Sequence, residues 1–157
     1  MPCPVPDLAR FLAGRWRIER RIFDLRSGTA GRLGGEALFA PAPDGLRCDE
    51  RGILTFGAHR GEAGQTYRFA FDPAGGTRKA AEVRFGDGRF FHRLDLSSGR
   101  SDVAHDCAPD RYQGRYRVAD RDHWTLIWAV RGPRKHALIG TRYARLAAPT
   151  TAVGGAE

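Results

Sequence analysis

The chain has 157 residues, of which 41% are hydrophobic and 28% charged, and its formal net charge is +8 at neutral pH. A chain of this length and apolar content indicates one globular domain and excludes an intrinsically disordered protein. The three cysteines show no CxxC spacing, which argues against a disulfide framework and a cysteine-built zinc site. No secretory signal and no apolar run near the ~18 residues of a membrane span are recognisable, so we expect a soluble, cytoplasmic protein without a membrane partner.

The positive charge is carried almost entirely by arginine. Only Lys79 and Lys135 are lysines among the 26 basic residues, and acidic residues are interleaved with the arginines. Arginine scattered over the outward faces of strands accounts for this pattern, and an anionic partner is the alternative. Nucleic acid is therefore the less favoured partner, and it is kept as a hypothesis.

One short segment near the N-terminus has helical spacing. Asp7 precedes the apolar residues Leu8, Phe11 and Leu12, and Gly14 follows as a stop signal. The segment predicts one or two turns of α-helix before the first strand.

The rest of the chain alternates apolar and polar residues with period two, and Gly, Pro and Asp turns interrupt it roughly every 8–12 residues. The predicted strands are RWRIERRIFD, RLGGEALFAP, LRCDERGILTF, QTYRFAFD, RKAAEVRF, RFFHRLDL, SSGRSDVAHDC, RYQGRYRVAD, HWTLIWAV and KHALIGTRYARL. GAHRGEAG and PAGG are expected to be turns, and GDG to close a hairpin.

Nine or ten consecutive short strands predict an all-β fold. We expect a single antiparallel up-and-down β-barrel of 8–10 strands with a short N-terminal helix, in which closure of the sheet removes exposed edges. A β-sandwich is the alternative. The barrel is assigned to residues 1–147, and a disordered tail to residues 148–157.

Several polar residues fall on faces that are predicted to point inward. In DGRFFHRLDL, alternation places His92 on the same face as Phe90, Leu94 and Leu96. On the ninth predicted strand, alternation likewise places Trp128 on the inward face, in a row with other aromatic and apolar residues. The other inward polar residues are Arg20, Glu50, His105, Tyr112 and Tyr116. Such groups are costly to bury unless they are paired, so they either pair with one another or line a cavity and meet a ligand.

Roles follow from the chemistry of these side chains. His92 titrates near neutral pH and, next to Glu50, is a candidate catalytic acid–base with Glu50 as its partner. Arg20 is a candidate clamp for a carboxylate or phosphate, or else forms a salt bridge with Glu50 across the barrel. The candidate ligand-binding residues are Arg20, His105, Tyr112, Tyr116, Trp128 and Lys135.

Lys135 belongs to the basic turn RGPRK, residues 131–135. At the open end of the barrel this turn attracts an anionic ligand, whereas at the closed end it is only a solvated hairpin.

The histidines also bear on metal and haem binding. His92 and His105 with Cys107 or Asp106 do not complete a tetrahedral ligand set, so no metal site is predicted. A barrel can hold haem through one histidine, and nothing selects among His92, His105 and His136. We predict no cofactor, with haem as the alternative.

The Gly-Arg-Trp sequence at residues 14–16 resembles the G-x-W opening of lipocalin-type calycin barrels. Together with ERGIL, FGDGRFFHRLDL, HDCAPDRYQGRY and WAVRGPRKHALIGTRY, it resembles a family of small uncharacterised bacterial proteins with a lipocalin-like barrel, over about residues 8–146. The resemblance implies the fold and no activity. It implies that Trp16 closes one barrel end against an arginine of the last strand, Arg142 or Arg145, and that Cys48 widens the cavity by replacing an aromatic residue.

Three functions are compatible with the sequence. The first is binding of a small, partly hydrophobic and anionic molecule in the cavity, and the second is acid–base catalysis of the isomerase, cyclase or hydratase type by His92 and Glu50. The third is nucleic-acid binding by the basic surface. Because barrels of this kind serve several functions, we rank binding first and catalysis second, and we predict no oligomeric state.

Overall fold

The computed structural model describes residues 1–72 and 78–148, and within them one helix and ten strands. Their bounds are α1 Leu8–Leu12, β1 Gly14–Asp24, β2 Ala30–Ala42, β3 Gly45–Phe56, β4 His59–Phe71, β5 Ala80–Phe85, β6 Phe90–Asp95, β7 Arg100–Cys107, β8 Asp110–Asp120, β9 His123–Arg131 and β10 His136–Arg145. The whole of the predicted PAGG turn, residues 73–76, and residues 149–157 of the predicted tail lie outside the described residues.

All ten strands form one antiparallel sheet in the order β6-β5-β4-β3-β2-β1-β10-β9-β8-β7. Each strand pairs with its neighbour along the chain except β6 and β7, and β1 pairs with β10, so the sheet curls into a nearly closed barrel. The predicted all-β, up-and-down architecture is confirmed, and a single sheet rules out the sandwich. No helix among the described residues has the length and apolar character needed to span a bilayer.

Closure is incomplete at one boundary, which we call the seam: the edges of β6 and β7 that face each other without a hydrogen-bonded ladder. The N-terminal segment passes beside the end of the seam at which β6 ends. There the Cys3 amide donates to the Val118 carbonyl (2.8 Å) and the Val5 amide donates to the Leu96 carbonyl (3.0 Å). The expectation that closure removes every strand edge is therefore wrong at the seam.

The helix closes one end of the barrel. Asp7 caps α1 by accepting a hydrogen bond from the Arg10 amide, and Leu8 and Leu12 are fully buried. Burial of each leucine side chain contributes about 1.5–3 kcal/mol. The Trp16 indole donates to the Leu12 carbonyl (2.8 Å), which ties the helix to β1.

Trp16 also packs against the last strand. The Arg145 guanidinium lies 4.2 Å from the centre of the Trp16 ring, whereas Arg142 points outward and is exposed. Of the two arginines implied by the family resemblance, Arg145 is the one that covers the tryptophan.

The predicted alternation is correct for most strands but changes phase in β6. Phe90 is 50% exposed, whereas Phe91 and His92 are both buried. The cause is an irregularity in the ladder: Val83 of β5 is paired with His92 and Arg84 with Phe90, so Phe91 is an extra residue. The inward position predicted for Phe90 is wrong, while that of His92 is confirmed.

The strands differ in length, and this difference creates an opening. The turn predicted over GAHRGEAG, residues 57–64, is present but occupies only residues 57–58. The rest of that segment is strand, because β4 begins at His59. β5 pairs only with Tyr67–Phe71 of this long strand. Residues 59–66 of β4 therefore have no β5 residues beside them, and the barrel wall is shorter on this side. We call the gap between Ala63–Gln65 of β4 and Arg89 of the β5–β6 turn the mouth.

Candidate functional site

A cavity of about 520 Å³ occupies the barrel interior and reaches the mouth. Every strand contributes to its lining. The predicted site residues that line it are Arg20, Glu50, His92, His105, Tyr112, Tyr116 and Trp128. Alternation thus identified most of the polar lining, because each of these strands is buried on one face only.

Arg20 is the centre of a buried hydrogen-bonded cluster. Its Nε donates to Thr141 Oγ1 (2.8 Å), and its Nη2 lies 2.9 Å from Glu50 Oε2. Tyr143 donates its hydroxyl hydrogen to the other Glu50 oxygen, Oε1 (3.0 Å). Glu50 lies on β3, and both of its carboxylate oxygens are therefore hydrogen-bonded to side chains of β1 and β10, which are two and three strands away in the sheet.

The cluster keeps its charges because they compensate each other. Burial alone would lower the pKa of the Arg20 guanidinium, but the neighbouring Tyr143 and Glu50 raise it above its ordinary value. Burial also raises the pKa of the Tyr143 hydroxyl and of the nearby Cys48 thiol, so both stay protonated. The deep interior carries one ion pair and no net charge from this cluster.

His92 forms a separate polar pair with Tyr116. Its Nδ1 lies 3.2 Å from the Arg93 carbonyl, which only accepts, so Nδ1 carries the hydrogen. Nε2 then accepts the hydrogen bond of the Tyr116 hydroxyl at 3.1 Å. Burial lowers the pKa of His92 to about 4, and the imidazole is neutral at neutral pH.

The predicted partnership of His92 and Glu50 is not formed in this arrangement. Both residues are buried and line the same cavity, but Glu50 is bound by Arg20 and Tyr143, and His92 by Tyr116. The alternative prediction, a salt bridge between Arg20 and Glu50, is confirmed.

Aromatic rings form the walls on the two sides of the seam. Phe91 is stacked on Phe85 with ring centres 4.4 Å apart and on Trp128 with ring centres 5.0 Å apart. Trp124 and Tyr143 are stacked deeper in the barrel at 3.7 Å. Phe91 was missed from the sequence because Phe90 has the same hydrophobicity and alternation alone cannot choose between them.

Two further lining residues, Tyr67 and Tyr143, were also missed. Tyr67 shares its predicted face with Phe69 and Phe71, and Tyr143 lies two residues beyond Thr141, so period two was the signal that could have found them. Burial raises the pKa of Tyr67 well above the ordinary tyrosine value.

The rim of the cavity is more polar and more exposed. His105 and Tyr112 line its outer part, and the Arg89 guanidinium lies 5.3 Å from the centre of the Phe85 ring while pairing with Asp87 (2.7 Å). Lys135 is exposed, does not line the cavity, and lies 3.5 Å from Asp110. The RGPRK turn is at the barrel end opposite α1, the same end as the mouth.

The histidines and cysteines do not converge. No group of three His, Cys, Asp or Glu side chains in residues 1–72 and 78–148 is close enough to hold a metal ion. Of the histidines considered for haem, His92 has its Nε2 bonded to Tyr116.

Comparison with known proteins supports the architecture. The chain belongs to DUF6314, a family of unknown function, whose model matches residues 12–145. Comparison with curated proteins gave no match. Among solved structures, the S-type phycobiliprotein lyase CPES from Guillardia theta is 8% identical with a TM-score of 0.60, covering 89% of this chain and 91% of that one.

Two designed proteins are similar to a lesser degree. A de novo designed fluorescence-activating β-barrel is 15% identical with a TM-score of 0.44, covering 90% of this chain and 100% of its own. The redesigned barrel mFAP1, solved bound to DFHBI, is 13% identical with a TM-score of 0.41, covering 87% of this chain and 97% of its own. At such identities the likeness to the lyase is one of fold.

Proposed function

We propose that this member of the DUF6314 family binds a small, partly hydrophobic, anionic molecule inside its barrel. The observation that carries the proposal is the 520 Å³ cavity, which combines stacked aromatic walls with a fully hydrogen-bonded polar cluster. Ligand sites in proteins are mostly apolar cavities of a few hundred cubic ångströms with a few fixed polar groups. Arg20, Tyr116 and the other lining residues then contact the ligand.

The charge of the lining favours an anion at the outer end of the ligand. Arg20, Arg51 and Arg89 line the cavity, and Glu50 is its one lining carboxylate among the described residues. Glu50 compensates Arg20 in the interior, so the lining cations at the mouth are Arg51 and Arg89, of which Arg89 also pairs with Asp87 at 2.7 Å. An amphipathic ligand would enter with its apolar part first and leave its anionic group between these two guanidinium groups.

Isothermal titration with 2-naphthoate and its neutral analogue 2-naphthamide tests the proposal. We expect saturable one-to-one binding of the carboxylate, and an affinity loss of about tenfold in the double variant Arg51→Gln/Arg89→Gln, since a charge-assisted hydrogen bond contributes about 1.5–3 kcal/mol. The amide should lose less than about twofold.

The matched control is Arg21→Gln/Arg32→Gln, which removes two cross-strand arginines from the outer face and should leave both affinities unchanged. No saturable binding of either compound to the native protein would refute the proposal. An equal loss for carboxylate and amide would refute the anionic part of it.

Acid–base catalysis by His92 and Glu50 has less support. A catalytic base needs a free lone pair directed at the substrate, but Nε2 of His92 accepts from Tyr116, and both oxygens of Glu50 are bound. We therefore assign these two residues to positioning Tyr116 and Arg20 in the cavity wall.

A nucleic-acid surface also has less support. Many outward arginines are paired with acidic neighbours, for example Arg84 with Glu82 at 2.6 Å and Arg15 with Glu36 at 2.8 Å. Paired guanidinium groups contribute less to phosphate binding than a continuous unpaired basic stripe.

A further inference from the structure

Phe91 occupies a position in the cavity wall that fits a flat ring from a ligand. Phe85 of β5 stacks on it with ring planes 18° apart, and Trp128 of β9 stacks on it with planes 17° apart. Phe85 and Trp128 approach from the two sides of the seam. The edge of His105 contacts Phe91 with ring centres 5.2 Å apart, and the Arg89 guanidinium lies on Phe85.

The backbone around Phe91 differs from the rest of the barrel. Phe91 is the extra residue of the irregularity in β6, so it faces inward together with His92 and against the alternation of the strand. β6 has only six residues and is bonded to the sheet on its β5 side alone. An edge strand with a bulge can move its side chain at a lower cost than a strand bonded on both sides.

The space beside Phe91 is already open. Phe91 is buried, with 7% of its surface exposed, but it also lines the 520 Å³ cavity, so its ring borders unfilled space. A ring that leaves the stack toward the seam would free a slot between Phe85 and Trp128, whose ring planes each lie within 18° of the Phe91 plane, next to Arg89 at the mouth.

We infer that the space between Phe85 and Trp128 is a subsite for a planar aromatic or conjugated ring, and that Phe91 fills this subsite until a ligand replaces it. The inference rests on the proposed binding function and adds the shape of the ligand. A flat ring gains two stacking faces there, whereas a puckered saturated ring gains none. An anionic group on the same ligand would lie within reach of Arg89.

The test uses two probes with one carbon skeleton and one charge: 2-naphthoate, which is flat, and decahydro-2-naphthoate, which is puckered. Affinities are measured by titration calorimetry for the native protein and Phe91→Ala. We expect Phe91→Ala to bind the flat probe about tenfold more tightly than the native protein does, and the puckered probe within about twofold.

Phe69→Ala is the matched control, because Phe69 also lines the cavity but pairs with Phe39 away from the seam. It removes the same volume and should change both affinities alike. Equal gains for the two probes in Phe91→Ala, or no gain for the flat one, would overturn the subsite while leaving cavity binding intact. Absence of binding to every folded variant would overturn both proposals.

A second measurement does not depend on the stability of Phe91→Ala. In the native protein, proton NMR of the Phe91 ring reports shielding by Trp128. On addition of 2-naphthoate the Phe91 ring signals should move downfield as the ring leaves the stack. Unchanged Phe91 signals at saturation would contradict the replacement.

Discussion

His92 illustrates how burial sets the chemistry of one side chain. Its pKa falls from the ordinary 6.5 to about 4, mainly because burial disfavours the charged imidazole. Above pH 6.5 both folded and unfolded chains carry a neutral histidine, and stability is unaffected by it. As the pH falls from 6.5 to 4, only the unfolded chain takes up the proton, so the free energy of unfolding decreases by about 3 kcal/mol.

Urea denaturation at pH values from 7 to 4 measures this effect. His92→Gln keeps an acceptor for Tyr116 and a donor for the Arg93 carbonyl, and it should remove that part of the pH dependence. His59→Gln, at an exposed position, serves as control and should retain the native slope. Identical slopes in the native protein and His92→Gln would show that the imidazole is not held neutral.

Gly114 makes room for the Trp128 ring. A Cβ built on Gly114 of β8 would lie 2.6–2.9 Å from three ring atoms of Trp128, too close for any side chain. Gly114→Ala should displace the indole, lower the free energy of unfolding by about 1–3 kcal/mol, and weaken 2-naphthoate binding.

Thermal unfolding and calorimetry check this prediction against Gly140→Ala. A Cβ on Gly140 of β10 meets no atom within 4 Å, so this control should be neutral or slightly stabilising in a strand. Native-like binding and stability in Gly114→Ala would mean that Trp128 does not need the glycine.

At the scale of elements, alternation and turn residues predicted almost every strand. They succeed in β1, β3 and β9 because one face of each is buried and the other solvated. They fail in β6, where two adjacent phenylalanines hide a bulge, and in the first half of β4, where glycine and charged residues imitate a turn. Both failures depend on pairing with a neighbouring strand, which a local pattern does not contain.

The seam gives β6 and β7 a distinct dynamic behaviour. Backbone amides that face the seam lack the ladder partners found in β1, which is bonded on both sides by β2 and β10. We expect amides of β6 and β7 on this side to exchange with deuterium faster than amides of β1 by orders of magnitude. Equal protection of β1 and β6 in hydrogen-exchange mass spectrometry would indicate that the barrel closes fully in solution.

For the molecule as a whole, the sequence indicated a polar cavity and one of its pairs, Arg20 with Glu50, but not the partners of His92 and Tyr143. Period two brings Arg20, Glu50, His92 and Tyr116 to one interior, because inward faces of a barrel all point to its axis. Which of them meet depends on strand register and on the height of each residue, and Tyr143 took the place beside Glu50 that His92 was predicted to hold. The mouth follows from unequal strand lengths.

The outer face offers a competing apolar surface. Phe23 of β1 and Leu138 of β10 are cross-strand neighbours, and they are 42% and 43% exposed. A hydrophobic probe that binds there would mimic the stoichiometry of cavity binding without entering the barrel.

Intermolecular nuclear Overhauser effects between 2-naphthoate and the isotope-labelled protein separate the two surfaces and decide whether the ligand enters the barrel. We expect contacts from the naphthalene protons to Trp128, Leu126 and Val83, all of which line the cavity. Contacts confined to Phe23 and Leu138, or no contacts at saturating probe, would contradict this expectation.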